Sequence, residues 1–126
     1  MQIGQRLIFL GMTGWPKYYV LVGRLPVAVD LMTWANWWGP NRDKCQIGCD
    51  EFPGCMISTV FLGLDHNFMG TEPILFETMI FGGPLDGEQW RYSTYNQAER
   101  GHKEAVAQAK IAAAKIKSIA DKAGAT

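Results

Sequence analysis

Residues 56–81, MISTVFLGLDHNFMGTEPILFETMIF, decide the fold class. The first part, Met56–Leu64, alternates: Met56, Ser58, Val60, Leu62 and Leu64 point one way, and Ile57, Thr59 and Phe61 the other. Both sets are largely apolar, which predicts a central strand. A second strand is predicted over Ile74–Phe81, after the loop DHNFMGTEP. Downstream, Gly82-Gly83-Pro84 and Asp86-Gly87 are turn chemistry, and Gln89–Tyr92 makes a third strand. Three consecutive strands with short turns give an antiparallel meander.

Beyond the meander, Thr94 and Gln97 have the spacing of a capping box. They open a helix that should run to about Lys122, before Gly124. On a 100° wheel, Ala98, Ala105, Ala109, Ala112, Ile116, Ile119 and Ala123 share one face, and Lys103, Lys110 and Lys117 form a separate stripe. An alanine face buries little area, so this helix either lies across its own sheet or projects its second half toward a partner. Upstream, YYVLVGRLPVAV (18–29) reads as one or two strands around Gly23-Arg24, with Pro26 at an edge. Asp30 is a helix N-cap, and LMTWANWW should end at Gly39-Pro40, with Gly39 in the left-handed C′ conformation. Leu31, Trp34 and Trp38 share a face. Residues 40–55, PNRDKCQIGCDEFPGC, show no clean period and are expected to be a loop with at most one short strand.

The expected class is therefore α+β: a small antiparallel β-meander with a short Trp-bearing helix and a long C-terminal helix. One domain is expected over 1–126, with a core at about 18–106 and a helical extension at 107–122. The 126 residues, 48% hydrophobic and 19% charged, supply one core. Net charge is zero but divided. Residues 100–126 carry six bases against Glu104 and Asp121, a balance of +4, which leaves −4 on residues 1–99. Such a division suggests a basic helix that meets something acidic. No run reaches the roughly 20 apolar residues of a membrane span. The start, MQIGQRLIFLGMTGW, has only Arg6 as a basic flank and no small-residue cleavage site, so a cytoplasmic protein is expected.

The segments STVFLGLDHNF (58–68), ILFETMIFGG (74–83) and RYSTYNQAERGH (91–102), with PVAVDLMTWANWW (26–38) upstream, resemble a family of small, largely uncharacterised bacteriophage and prophage proteins. The resemblance covers roughly residues 24–106. It implies a phage or prophage origin, the same α+β domain and action inside a bacterial host cell, and it carries over no catalytic residues. The Cys-bearing insertion at 45–55 and the Ala/Lys-rich extension after about residue 106 depart from the family pattern.

Several side chains are candidates for chemistry. Cys45, Cys49, Cys55 and His66 make an acceptable zinc donor set. Their spacing, C-x3-C-x5-C with His66 beyond a strand, matches no standard finger, and free thiols without a cofactor are expected instead. Asp65, His66 and Asn67 at a strand end, with Glu77 and Arg91 nearby, are an alternative catalytic or nucleotide-binding centre, weakly hydrolytic at most. The bland reading has Asp65 and Asn67 closing their loop and Glu77 pairing with Arg91 across the meander. His102 reads as a surface or satisfied helical histidine rather than a ligand, and Gly101 beside it signals close approach of a neighbouring backbone. Trp34, Trp37 and Trp38 occupy adjacent faces of one short helix, so one or two in the core and one at an interface are expected, the alternative being that all three are buried. With no nucleophile–base motif or phosphate loop, the leading expectation is a non-enzymatic interaction protein. It would bind a host or phage protein or its own copies through Trp34, Trp37, Trp38, Lys103, Lys110 and Lys117. Nucleic acid is a weaker candidate partner, and a membrane is not one.

Overall fold

The computed structural model describes residues 17–67 and 72–124, so the reading of the first fifteen residues lies outside the described part. Tyr18–Val22 (β1) and Leu25–Val29 (β2) pair as an antiparallel ribbon. Pro26 is tolerated because both strands of a two-stranded ribbon are edges. Asp30 opens helix α1, Leu31–Trp38. Its carboxylate accepts from the Thr33 N–H at 2.8 Å, a bond that holds the carboxyl below its ordinary range. This contribution is complete at neutral pH and fades as acid takes the pH down through the lowered value.

The end of α1 corrects one expectation. Gly39 lies in the right-handed helical region at φ −58°, ψ −57°. The helix stops instead because Pro40 has no N–H to donate and Asn41 closes its last turn. The Asn41 backbone N–H reaches the Trp37 and Trp38 carbonyls, and its side-chain amide donates to Trp37 O at 2.8 Å.

Residues 40–55 are more ordered than their pattern predicts. A single 3-10 turn, Arg42–Cys45, leads into a seven-residue strand, Gln46–Phe52 (β3). With Cys55–Phe61 (β4), Phe76–Phe81 (β5) and Gln89–Tyr92 (β6), it forms an antiparallel sheet in the order β3-β4-β5-β6. The period of β3 is erased by a register shift between Gln46 and Gly48 and by the solvent-facing residues Cys49, Asp50 and Glu51 of an edge strand. β4 is central, as its two apolar faces implied, and β5 lies beside it between β4 and β6. β4 ends at Phe61 rather than Leu64 because Gly63 turns the chain at φ +73°. A Cβ on Gly63 would run into the Trp38 indole, so only glycine suits both the backbone and the helix above it.

The two sheet faces differ. On the inner face Ile57, Thr59, Phe61, Phe76, Thr78 and Ile80 are at most 1% exposed. On the outer face Met56, Ser58, Val60, Glu77 and Met79 are half-buried and Phe81 is 44% exposed. Both hydrophobic clusters lie on the inner side. Tyr19, Leu21, Trp37 and Trp38 close over Phe61 and Phe76, while Ala105 and Ala109 pack on Ile57 and Ile80.

Helix α2, Tyr95–Gly124, supplies those alanines. Its capping box is complete: Gln97 N–H donates to the Thr94 hydroxyl, and the Gln97 side chain accepts from the Ser93 and Thr94 amides. Arg24, at the tip of the ribbon, pairs with Glu99, donates to Asn96 Oδ1 at 2.7 Å and lies 4.2 Å from the centre of the Tyr95 ring. A helix of 30 residues is about 45 Å long, whereas four strands span about 15 Å. The sheet cannot cover it all. Buried α2 residues are Ala98, His102, Ala105 and Ala109, and from Ala114 to Gly124 every residue is exposed.

Candidate functional site

Alanines let α2 approach the sheet closely but bury little surface. What fixes its seat is polar. His102 descends from α2 with 8% exposure into a row that takes one residue from each strand of the sheet. Its Nε2 lies 2.6 Å from Asp50 Oδ1 on β3 and its Nδ1 2.7 Å from Thr59 Oγ1 on β4. Thr59 meets Thr78 of β5 at 2.5 Å, and the Tyr92 hydroxyl of β6 donates to Thr78 Oγ1 at 3.2 Å. The Asp50 carboxylate can only accept, which puts a proton on Nε2; in the neutral imidazole Nδ1 is then the acceptor. Tyr92 then donates to Thr78, Thr78 to Thr59 and Thr59 to His102, leaving no buried proton of the row without an acceptor. Burial raises the Tyr92 phenol above its ordinary range, with the Thr78 bond acting the other way and Glu104 adding to the rise.

Two glycines make room for this row. A Cβ on Gly48 would lie 2.9 Å from His102 Cδ2, and one on Gly101 would overlap the Tyr92 phenol. The neighbour that Gly101 signalled is thus a side chain rather than a backbone. An Asp–His–hydroxyl sequence has the order of a nucleophilic triad. Here, however, Thr59 and Thr78 are 0% exposed beneath a helix, so no substrate reaches either oxygen. The row is a lock that sets the register of α2 on the sheet.

The alternative catalytic set serves the architecture. Asp65 Oδ1 accepts from the Asn67 and Ile74 amides at 2.8 and 3.0 Å, closing the loop between β4 and β5. The His66 backbone N–H donates to Ile74 O at 3.1 Å. Glu77 pairs with Arg91 at 3.0 Å directly across β5 and β6, an outer-face ion pair that contributes about 0–1 kcal/mol. A cleft of about 570 Å³ opens beside Arg91, between the end of β6 and the first turns of α2, with Arg100, Glu72 and Glu104 on its rim. Opposed charges there cancel any field of one sign.

All three cysteines are free. Cys45 is buried with its thiol 3.6 Å from Asn41 O, Cys49 is exposed opposite Ser58, and Cys55 is half-buried opposite Phe52. Among the described residues no group of three His, Cys, Asp or Glu side chains is placed to hold a metal, so the zinc set Cys45, Cys49, Cys55 and His66 is not assembled. Burial raises the Cys45 thiol, only partly offset by Arg42, and raises Cys55 with help from Asp86. Since the thiolate is the reactive form, iodoacetamide at pH 8 should label Cys49 first and Cys45 last. Peptide mass spectrometry over time reads that order.

The tryptophans look inward. Trp34 stacks between Tyr18 and Trp38 at centroid distances of 5.4 and 5.2 Å, and Trp37 meets Phe61 edge-on at 6.2 Å. All three are half-buried, and the Trp34 indole N–H finds no acceptor among the described residues. Leu31, expected on their face, is instead 51% exposed, with Met32 at 66%, because only the second turn of this short helix reaches the core.

The lysines and the second half of α2 stand differently. Ala98, His102, Ala105, Ala109, Ala112, Ile116, Ile119 and Ala123 follow one another at alternating steps of four and three, a single seam along the helix. The sheet covers its first four members. Beyond them Ile116 is 54% and Ile119 64% exposed, and Lys103, Lys110 and Lys117 are exposed throughout. Sequence reasoning found this seam but not where its cover ends, which depends on the width of the sheet.

No protein-family model, no curated protein and no solved structure matches this chain. No helix among the described residues is long and apolar enough to cross a membrane.

Proposed function

We propose that this chain is a non-enzymatic interaction protein of phage type, acting inside a bacterial host by binding another protein or its own copies. The phage assignment rests on the resemblance of residues 24–106. The binding assignment rests on one observation: the apolar seam of α2 continues past the sheet with Ile116 and Ile119 in solvent. Isolated exposed apolar residues are ordinary, but a seam that one half of a helix buries is built for a second cover. The proposed contact surface is therefore residues 112–123 with the flanking Lys110 and Lys117. Trp34, Trp37 and Trp38 support the body instead.

Ile116→Asp with Ile119→Asp tests this reading. Both side chains are exposed, so the double variant should melt within about 0.5 kcal/mol of the parent and keep its far-ultraviolet spectrum. Crosslinking in bacterial extract and in purified protein should show bound species for the parent and none for the variant. Equal yields from both would sink the reading.

A further inference from the structure

The outer face of the sheet is the second surface that the described fold leaves open. It runs Cys49 and Glu51 on β3, Met56, Ser58 and Val60 on β4, Glu77, Met79 and Phe81 on β5, and Gln89 and Arg91 on β6. Neither hydrophobic cluster contains any of these residues. Its centre is apolar, and its acids outnumber its one base, Arg91, which Glu77 already pairs.

The exposed half of α2 has the matching form. Ile116 and Ile119 lie on its seam, bordered by Lys115 and Lys122 on one side and Lys110 and Lys117 on the other, against the single acid Asp121. The seam from Ala112 to Ala123 is as long as that from Ala98 to Ala109, and the latter already crosses all four strands of the inner face. The exposed stretch is therefore the right length to cross a sheet of this width.

Resting on the interaction reading above, we propose that the occupant of each surface is a second copy of this chain: the exposed half of α2 docks across the outer sheet face of the next protomer. Charge selects this arrangement over the symmetric ones. Two exposed helix halves meeting seam to seam would oppose lysines to lysines, and two sheet faces would bring together surfaces with no unpaired base to offset Glu51. Docking helix to sheet instead sets Lys110, Lys115, Lys117 and Lys122 of one copy against a face of the next whose charges are Glu51 and the Glu77–Arg91 pair, a net −1. Each copy gives one surface and receives on the other. The contact is heterologous and propagates into a ring or filament, and added salt weakens it.

Light scattering with size exclusion tests the proposal by complementation. The wild type should gain mass with concentration in steps of 14.1 kDa. Ile116→Asp/Ile119→Asp lacks the donor surface and Phe81→Asp the acceptor, so each alone should stay at 14.1 kDa. Mixed in equal amounts, they should form pairs of twice that mass and nothing larger, because one intact helix meets one intact face and the pair ends there. Glu51→Lys, at an exposed site, provides a second acceptor variant whose association should weaken several-fold if Phe81→Asp disturbs the fold. Self-association of the Phe81 variant alone would mean helix-to-helix contact, and that of the isoleucine variant alone sheet-to-sheet contact; either overturns the proposal. A wild type that remains at 14.1 kDa also overturns it. Binding in extract then still decides the interaction reading separately.

Discussion

Replacing His102 with alanine should lower the unfolding free energy by about 3 kcal/mol, a large share of the 5–15 kcal/mol typical of a domain. Two costs combine. The imidazole fills a site at 8% exposure, so its loss leaves a void under α2. The Thr59 hydroxyl, at 0% exposure, loses the acceptor that orients it, and a buried polar group without its partner costs about 1–3 kcal/mol. A drop of this size should bring the melting temperature down by about 10 °C.

The same argument predicts a partial cure. In His102→Leu/Thr59→Val/Thr78→Val/Tyr92→Phe the hydroxyls that needed the histidine and the phenol that needed Thr78 are gone, and leucine refills much of the space. Removing both sides of a buried polar contact is far gentler than removing one. The quadruple variant should therefore unfold less readily than His102→Ala despite carrying three more substitutions. Chemical denaturation of both proteins decides the matter. A loss below about 0.5 kcal/mol in His102→Ala would show that the row does not hold the helix.

Why the meander was legible in residues 56–81 and this row was not comes down to range. Alternation, the Asp30 cap and the Thr94–Gln97 box are local: each places its partners within about four residues, and all are formed. The row joins residues 43 and 52 positions apart, and Thr59 and Thr78 are ordinary strand formers when read alone. His102 was legible only as a surface or satisfied helical histidine; it is buried and satisfied, and neither its burial nor its partners could be read locally. β3 stayed hidden for a related reason. An edge strand needs apolar residues on one side only, and there Gly48 replaces a side chain to admit the imidazole. The local signal was removed by the tertiary contact it serves. For Asp65 and Glu77 the local partners of the bland reading were legible. Asp65 closes its loop through backbone amides and Glu77 pairs with Arg91 across neighbouring strands, both contacts within reach of sequence pattern.

Gly101 turns this dependence on context into a test with an inverted sign. In an exposed helix, glycine to alanine stabilises by about 1 kcal/mol, because alanine has less backbone freedom to lose. Gly101 lies in the second turn of α2, where propensity alone forecasts that gain. The added methyl, however, would overlap the hydroxyl end of Tyr92, and that ring also lies in the core beside Phe76 and Ala98. Neither α2 nor the phenol can retreat without breaking the Tyr92–Thr78 bond and lifting Ala98 from the sheet. Gly101→Ala should therefore destabilise by about 2 kcal/mol, in the range of overpacked cores. In a Tyr92→Ala background the obstacle is gone, and the same substitution should regain its favourable sign. The cycle of four proteins would then show a coupling of about 3 kcal/mol, within the range for residues in direct contact. A stabilising Gly101→Ala in the parent would mean that α2 sits farther from β6 than this row of contacts requires. His102 could not then reach Thr59.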